Sequence, residues 1–139
     1  MAVHVLAVLG YKQGHHVTSA LLAASVNTNP VVIRRLLLTL QRAKLVETRK
    51  GTGLGSRLIR PPARITLGEV FRAVEEEDPF VMPRNKPNRA CPVGNCIQLA
   101  IARVFVSARK ALEQDFAKTT LADILATVDS CCEQGRKEK

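Results

Sequence analysis

Asn29, Val31, Arg34 and Arg35 stand close together in the chain, and their side chains suit the reading of base edges. A guanidinium can bind guanine through two hydrogen bonds, and a carboxamide can bind adenine in the same way. An aliphatic side chain can meet a thymine methyl. Thr28 and Arg42 flank this group and suit phosphate oxygens. Further along, Arg49, Lys50 and Arg57 surround three alternating glycines, Gly51, Gly53 and Gly55. Positive charge on such a loop suits a minor groove or a sugar-phosphate backbone. The plainer reading is a solvated basic surface.

The cysteines form a second constellation. Cys91 and Cys96 bracket Cys-Pro-Val-Gly-Asn-Cys, and Cys131 and Cys132 lie near the end. A thiol at a helix N-terminus can become reactive. Three readings stay open: a redox pair of Cys91 with Cys96 or with the tail thiols, a metal or iron–sulfur site, and small apolar residues without a role. The spacing is not the Cys-x2-Cys of a zinc knuckle. Adjacent Cys131 and Cys132 make a poor ligand pair. His4 reads as a satisfied helix residue, and His15 and His16 as loop. The run Glu75-Glu76-Glu77-Asp78 opposes a helix dipole at its C-terminal end, so it marks a helix stop rather than a catalytic cluster. No Ser/His/Asp or Cys/His arrangement is readable, so neither a catalytic residue nor a metal site is expected.

The elements that must position these residues follow from periodicity and caps. Residues 2–12 read as a first helix and Ser19 to Ser25 as a second, with Thr18 as its cap. Asn29-Pro30 combines a good cap with proline at the first helical position, so a third helix runs to about Lys44. Ile33, Leu36, Leu37 and Leu40 share its core face, whereas Val31, Arg35, Leu38 and Arg42 lie opposite. Val46–Arg49 and Ser56–Ile59 read as strands of a hairpin. The Gly-x-Gly-x-Gly run resembles a nucleotide-binding fingerprint only superficially, because a strand follows it where that fingerprint needs a helix. Pro61-Pro62 stops the hairpin. Three helices and a basic hairpin make the winged helix-turn-helix pattern.

Thr66 with Glu69 predicts a capping box opening a helix that runs from Leu67 to about Val74. Four prolines make 79–92 a loop. A long helix follows from about Asn95 to Ala117, with Ile97, Ile101, Val104, Phe105, Ala108, Leu112 and Phe116 along one stripe. A partner subunit is the economical cover for that stripe, and packing on its own domain is the alternative. Thr120 caps a short helix to about Val128, and the tail from Asp129 reads as frayed. The fold class is therefore mainly α with a small β-hairpin: a winged helix-turn-helix plus a long C-terminal dimerisation helix. Its parts are a DNA-binding region (1–64), a connecting helix and sensor loop (65–94), the dimerisation helix (95–118), and a short helix with the tail (119–139).

The charge follows this division. Residues 1–64 carry ten basic residues and one acid, Glu47, while residues 65–139 carry eleven of each, so the net +9 lies in the first half. A polyanion-binding half joined to a neutral half explains the split. At 139 residues and 46% apolar, the chain is too hydrophobic for a disordered tail. No apolar run approaches the ~18 residues of a membrane span. The absence of a secretory signal predicts a cytoplasmic protein with reduced thiols. Four phenylalanines, one tyrosine and no tryptophan argue against stacking single-stranded bases.

Together, Val26 through Arg35, Leu45-Val46, the glycine wing, Ile65-Thr66-Leu67, Cys91-Pro92-Val93-Gly94 and Thr119 through Asp123 resemble the bacterial winged-helix regulators related to IscR, NsrR and CymR. The likeness covers nearly the whole chain and is strongest to the YwnA-type branch. It implies a homodimer clasped through the long helix, binding double-stranded DNA at an operator of two-fold symmetry, as a repressor or dual regulator. It also implies that Asn29, Val31 and Arg34 occupy base-reading positions and that Lys50 is a minor-groove contact. Two departures stand out. Thr52, Leu54 and Ser56 replace wing residues usual in the family, and only Cys91 and Cys96 stand where cluster-binding members carry three cysteines. No iron–sulfur cluster or other cofactor is therefore expected. The alternative to a regulator, one sensitive to thiols or to a ligand, is a winged-helix adaptor for RNA or a protein partner.

Overall fold

Thr18, Asn29 and Thr66 each place a side-chain oxygen on the first free amides of a helix, and a helix begins directly after each. This computed structural model describes residues 1–49, 51, 55–75, 80–82 and 84–137. Its helices are α1 (Ala2–Tyr11), α2 (Ser19–Val26), α3 (Pro30–Arg42), α4 (Leu67–Val74), α5 (Pro92–Phe116) and α6 (Leu121–Lys137). Two short strands, β1 (Val46–Thr48) and β2 (Ser56–Leu58), pair antiparallel between α3 and α4. The chain is thus mainly helical with one small hairpin.

α2 stops at Asn27, which takes the left-handed conformation at φ 56°. Its amide turns back to the end of α2, so the chain re-enters at Asn29 as the cap of α3. Ile33, Leu37 and Leu40 point inward from α3 and are buried, as their spacing predicts, with Leu36 half-buried beside them. They meet Val5, Leu6 and Leu9 of α1, Leu22 of α2, and Leu45, Val46, Ile65 and Val70. The hairpin is fastened beneath by Val17: its N–H donates to the Ser56 carbonyl at 2.9 Å, and the Ser56 N–H returns to the Val17 carbonyl at 2.8 Å. Gly55 makes this approach possible, because a Cβ there would collide with the Val17 carbonyl.

Two boundaries differ from the sequence reading. α5 begins at Pro92, three residues before the expected Asn95, with Cys91 as its N-cap. Proline at the first helical position has no amide to leave unpaired, so it starts the helix instead of ending the loop. α6 continues to Lys137, well past the expected stop at Val128. Leu121 is fully buried in the core, and the Tyr11 hydroxyl donates to Asp129 Oδ1 at 2.6 Å. Asp129 is thus tied to the end of α1. The same hydrogen bond pushes the Tyr11 phenol up to about 12. Backbone bonds from Leu67 to Thr119 and from Leu121 to Ile65 lock the starts of α4 and α6 together.

α5 lies apart from this core, and none of its 25 residues is buried. One side rests on α4 and the connector that follows it. Phe71 meets Phe116 edge-on at 5.3 Å, and Phe80 meets Phe105 at 5.4 Å. Between these pairs, Arg109 donates to Glu75 at 2.7 Å and to Glu113 at 3.2 Å. Among the described residues, no helix is long and apolar enough to cross a membrane.

Candidate nucleic-acid interface

The start of α3 is built by its own cap. Asn29 Oδ1 accepts the Val31 amide at 2.8 Å, and Pro30 holds the first turn in helical conformation. The side-chain carbonyl of Asn29 is therefore engaged locally. Its amide hydrogens and one oxygen lone pair are left for a base. Val31, Arg34, Arg35 and Arg42 are all exposed, and Thr28 just before the cap is half-buried. Among the described residues, none of the three arginines has an acidic partner. The buried face of α3 fixes this opposite face toward solvent. Uncompensated cations along it form an electrostatic surface for a polyanion.

The hairpin stands beside this helix. Arg49 is exposed at the end of β1. Arg57 is half-buried in β2, directly opposite Glu47 in the register, and donates its Nε–H to Glu47 Oε1. That bond, more than the charge of Arg49 or His16, holds the Glu47 carboxyl below the usual carboxylate range. The single acid of the basic half therefore neutralises one of its candidate contacts. Arg57 was expected to bind with the other wing cations; its partner Glu47 was not an expected site residue, although its cross-strand position is implicit in the hairpin register. Lys50, the other wing residue expected to bind, and the glycine-run residues 52–54 lie outside the described residues.

Between α3 and β1 runs an open groove of about 660 Å³, lined by Arg34, Leu37, Leu38, Gln41, Arg42 and Thr48. Leu38, Gln41 and Thr48 were not among the expected site residues. Leu38 and Gln41 follow Arg34 at steps of four and three, so their shared face was legible from spacing. Thr48 offered no such signal. Its Oγ1 lies 2.8 Å from Ser56 Oγ across the hairpin.

The long-helix residues separate into two sets. Phe105 and Phe116 pack on Phe80 and Phe71 of their own chain, and Ile101, Ala108 and Leu112 are half-buried along that side. Ile97 and Val104 remain exposed. They join Val93, Ala100, Ser107 and Ala111 in an exposed row with alternating steps of four and three. That is the heptad spacing of a helix seeking another helix.

Cys91, Cys96, Cys131 and Cys132 are all free and exposed. Cys91 caps α5 and Cys96 is its fifth residue, an axial separation of ~7.5 Å. A disulfide accepts Cα atoms no more than ~7 Å apart, so joining these two requires the first turn of α5 to unwind. Among the described residues, no group of three or more His, Cys, Asp or Glu side chains converges as a metal site would require. Cys91 and Cys96 supply two thiolates, where an iron–sulfur cluster takes four protein ligands.

Residues 1–127 match the family described as Rrf2, iron-dependent transcriptional regulator. The chain is 37% identical over 125 residues to YwnA of Bacillus subtilis (strain 168), a candidate HTH-type transcriptional regulator by its name. The match covers 90% of this chain and 92% of that protein. The fold is shared with IscR of T. potens (TM-score 0.69, 21% identity, 94% of this chain and 84% of the other). It is shared equally with CymR, the global cysteine regulator of B. subtilis (TM-score 0.66, 21% identity, 91% of each). The chain belongs to the Rrf2 family of DNA-binding transcriptional regulators, and it is not an enzyme.

Proposed function

We propose that this Rrf2-family chain is a dimeric, sequence-specific DNA-binding repressor that lays α3 in the major groove of an operator. The observation that carries the reading is the row of Arg34, Arg35 and Arg42, exposed and, among the described residues, without acidic partners, on a helix whose opposite face is locked in the core. The first turns of the helix would meet base edges through Val31, Arg34 and Arg35. Thr28, Arg42, Arg49, Lys50 and, once released from Glu47, Arg57 would hold phosphate. The protein acts in the cytoplasm, where its operator is.

The dimer forms through α5. Val93 is 65% exposed and Val104 64%, on the side of α5 that faces away from α4 and the connector. A second copy of the same row covers them, and the two-fold axis sets two half-sites about one or two helical turns apart. Cys91 and Cys96, accessible at the head of this helix, are the proposed thiol sensors. Oxidation there would disturb the dimer and so the spacing of the two α3 helices. A Cys91→Ser variant that responds to peroxide as the parent does would contradict the sensor role. The chain works without an iron–sulfur cluster on this reading.

The test is a fluorescence titration of reduced protein against DNA from upstream of its own gene and against a shuffled duplex, at two salt concentrations. The native duplex is expected to bind more tightly, with a slope of roughly −0.9 per phosphate contacted. Equal, purely salt-driven binding to both would favour the adaptor reading.

A further inference from the structure

Leu38 lies in the middle of the basic face of α3 with over half of its surface, 55%, in solvent. Arg34 stands one turn before it and Arg42 one turn after, and all three line the groove beside the hairpin. An isolated exposed leucine needs no explanation. This one differs in its place. It lines the groove together with the cations Arg34 and Arg42 and with Leu37, which belongs to the core.

The position can be mapped onto the duplex. Side chains on a helix lean toward its N-terminus, so Leu38 covers the surface of the turn that carries Arg34 and Arg35. It lies seven residues from Val31, two turns and ~10 Å along the helix. That distance spans about three base-pair steps at ~3.4 Å each. In the major groove, the apolar group that base edges present is the C5-methyl of thymine. A guanidinium on each side would take phosphate or guanine. The leucine between them would shed its exposed surface only onto such a methyl.

The geometry points to Leu38 as a specificity-determining residue that contacts a thymine methyl within about three base pairs of the bases met by Val31. The inference rests on α3 being the DNA-reading helix and extends that reading beyond the first turn, to an apolar contact. It makes the half-site one in which a particular thymine is preferred for its methyl group rather than for its hydrogen-bonding edge.

Deoxyuridine isolates the methyl, since it keeps every hydrogen-bonding group of thymine. A duplex is selected from a random library by the parent protein, and each thymine in it is replaced singly by deoxyuridine. At one position, replacement should weaken the parent about fourfold, the value of one buried methyl-sized group. The same replacement should cost the Leu38→Ala variant nothing. Leu38→Met, which keeps the apolar reach, should retain most of the methyl dependence. If no duplex is enriched, the base-reading assignment of α3 itself fails. If a duplex is enriched but deoxyuridine costs parent and Leu38→Ala equally, or costs neither, α3 still reads bases and the role given to Leu38 is wrong.

Discussion

Glu47 and Arg57 face each other across the two strands of the hairpin, and the carboxylate holds the guanidinium through Nε. His16 Nε2 lies 4.0 Å from the same carboxylate oxygen; this nitrogen is buried and has no hydrogen-bond partner among the described residues. The wing therefore offers DNA less charge than its composition suggests. Exposed pairs of this kind add little to stability. Their consequence lies in which cations are free.

Glu47→Gln should tighten binding to any duplex and steepen the salt slope by up to about 0.9, the contribution of one phosphate. Adding Arg57→Ala should return the slope to that of the parent. Titrations at four salt concentrations separate these outcomes. An unchanged slope in Glu47→Gln would remove Arg57 from the phosphate contacts. Because Arg57 holds the Glu47 carboxyl below its ordinary 4.5, the parent should keep this contact as pH falls to that value.

Thr66 and Glu69 close a capping box at the start of α4, with Glu69 Oε2 accepting the Thr66 amide at 3.0 Å. Thr66→Ala should cost about 1 kcal/mol of stability, read from the urea midpoint. The Thr66 amide, then Arg60, holds the Glu69 carboxyl below its ordinary 4.5 against the opposing effect of burial. A carboxyl lowered by folding stabilises fully above its unfolded pKa and ceases to do so as pH falls through the folded one. The parent should therefore lose stability as pH drops below about 4.5. Glu69→Gln should lose less over the same interval, and parallel curves would contradict the assignment.

Phe71 and Phe116 join α4 to the end of α5, 5.3 Å apart and edge-on. A double-mutant cycle to leucine should show a coupling of about 0.5–1.5 kcal/mol. Additive losses would mean that Glu75, Arg109 and the other aromatic pair hold the long helix without them.

Val104→Glu places a charge in the exposed heptad row, twice in a two-fold dimer. Sedimentation should show a monomer with unchanged helical content. Leu99 is equally exposed but lies 140° further round α5. Leu99→Glu should remain dimeric. Dissociation by both variants, or by neither, would remove the row from the interface.

The helical frame was legible because its signals are local. Thr18, Asn29-Pro30 and the Thr66/Glu69 pair mark helix starts within four residues, and Ile33, Leu37 and Leu40 mark the inner face of α3 by period alone. What was not legible depends on contacts distant in sequence. The apolar stripe of α5 read as one surface. Phe105 and Phe116 are spent on Phe80 and Phe71, whereas Ile97 and Val104 of that stripe are left exposed in a flanking row with Val93. α6 runs on past Val128, where Asp129 meets Tyr11, 118 residues away in sequence. At the interface itself, residue types pointed to Arg34 and Arg35. The local duties of Asn29 as a cap and of Glu47 as a counter-charge needed the register and the cap geometry.

The central claim is that α3 reads bases and does more than attract phosphate. Its most direct test is the ratio of affinities for the selected duplex and its shuffled counterpart, measured for the parent and for Arg35→Ala at one salt concentration. Arg35→Ala should lower that ratio by about 1–3 kcal/mol while binding to the shuffled duplex changes little. Equal weakening on both duplexes would show that the arginine contributes charge alone, and would contradict base reading by this helix.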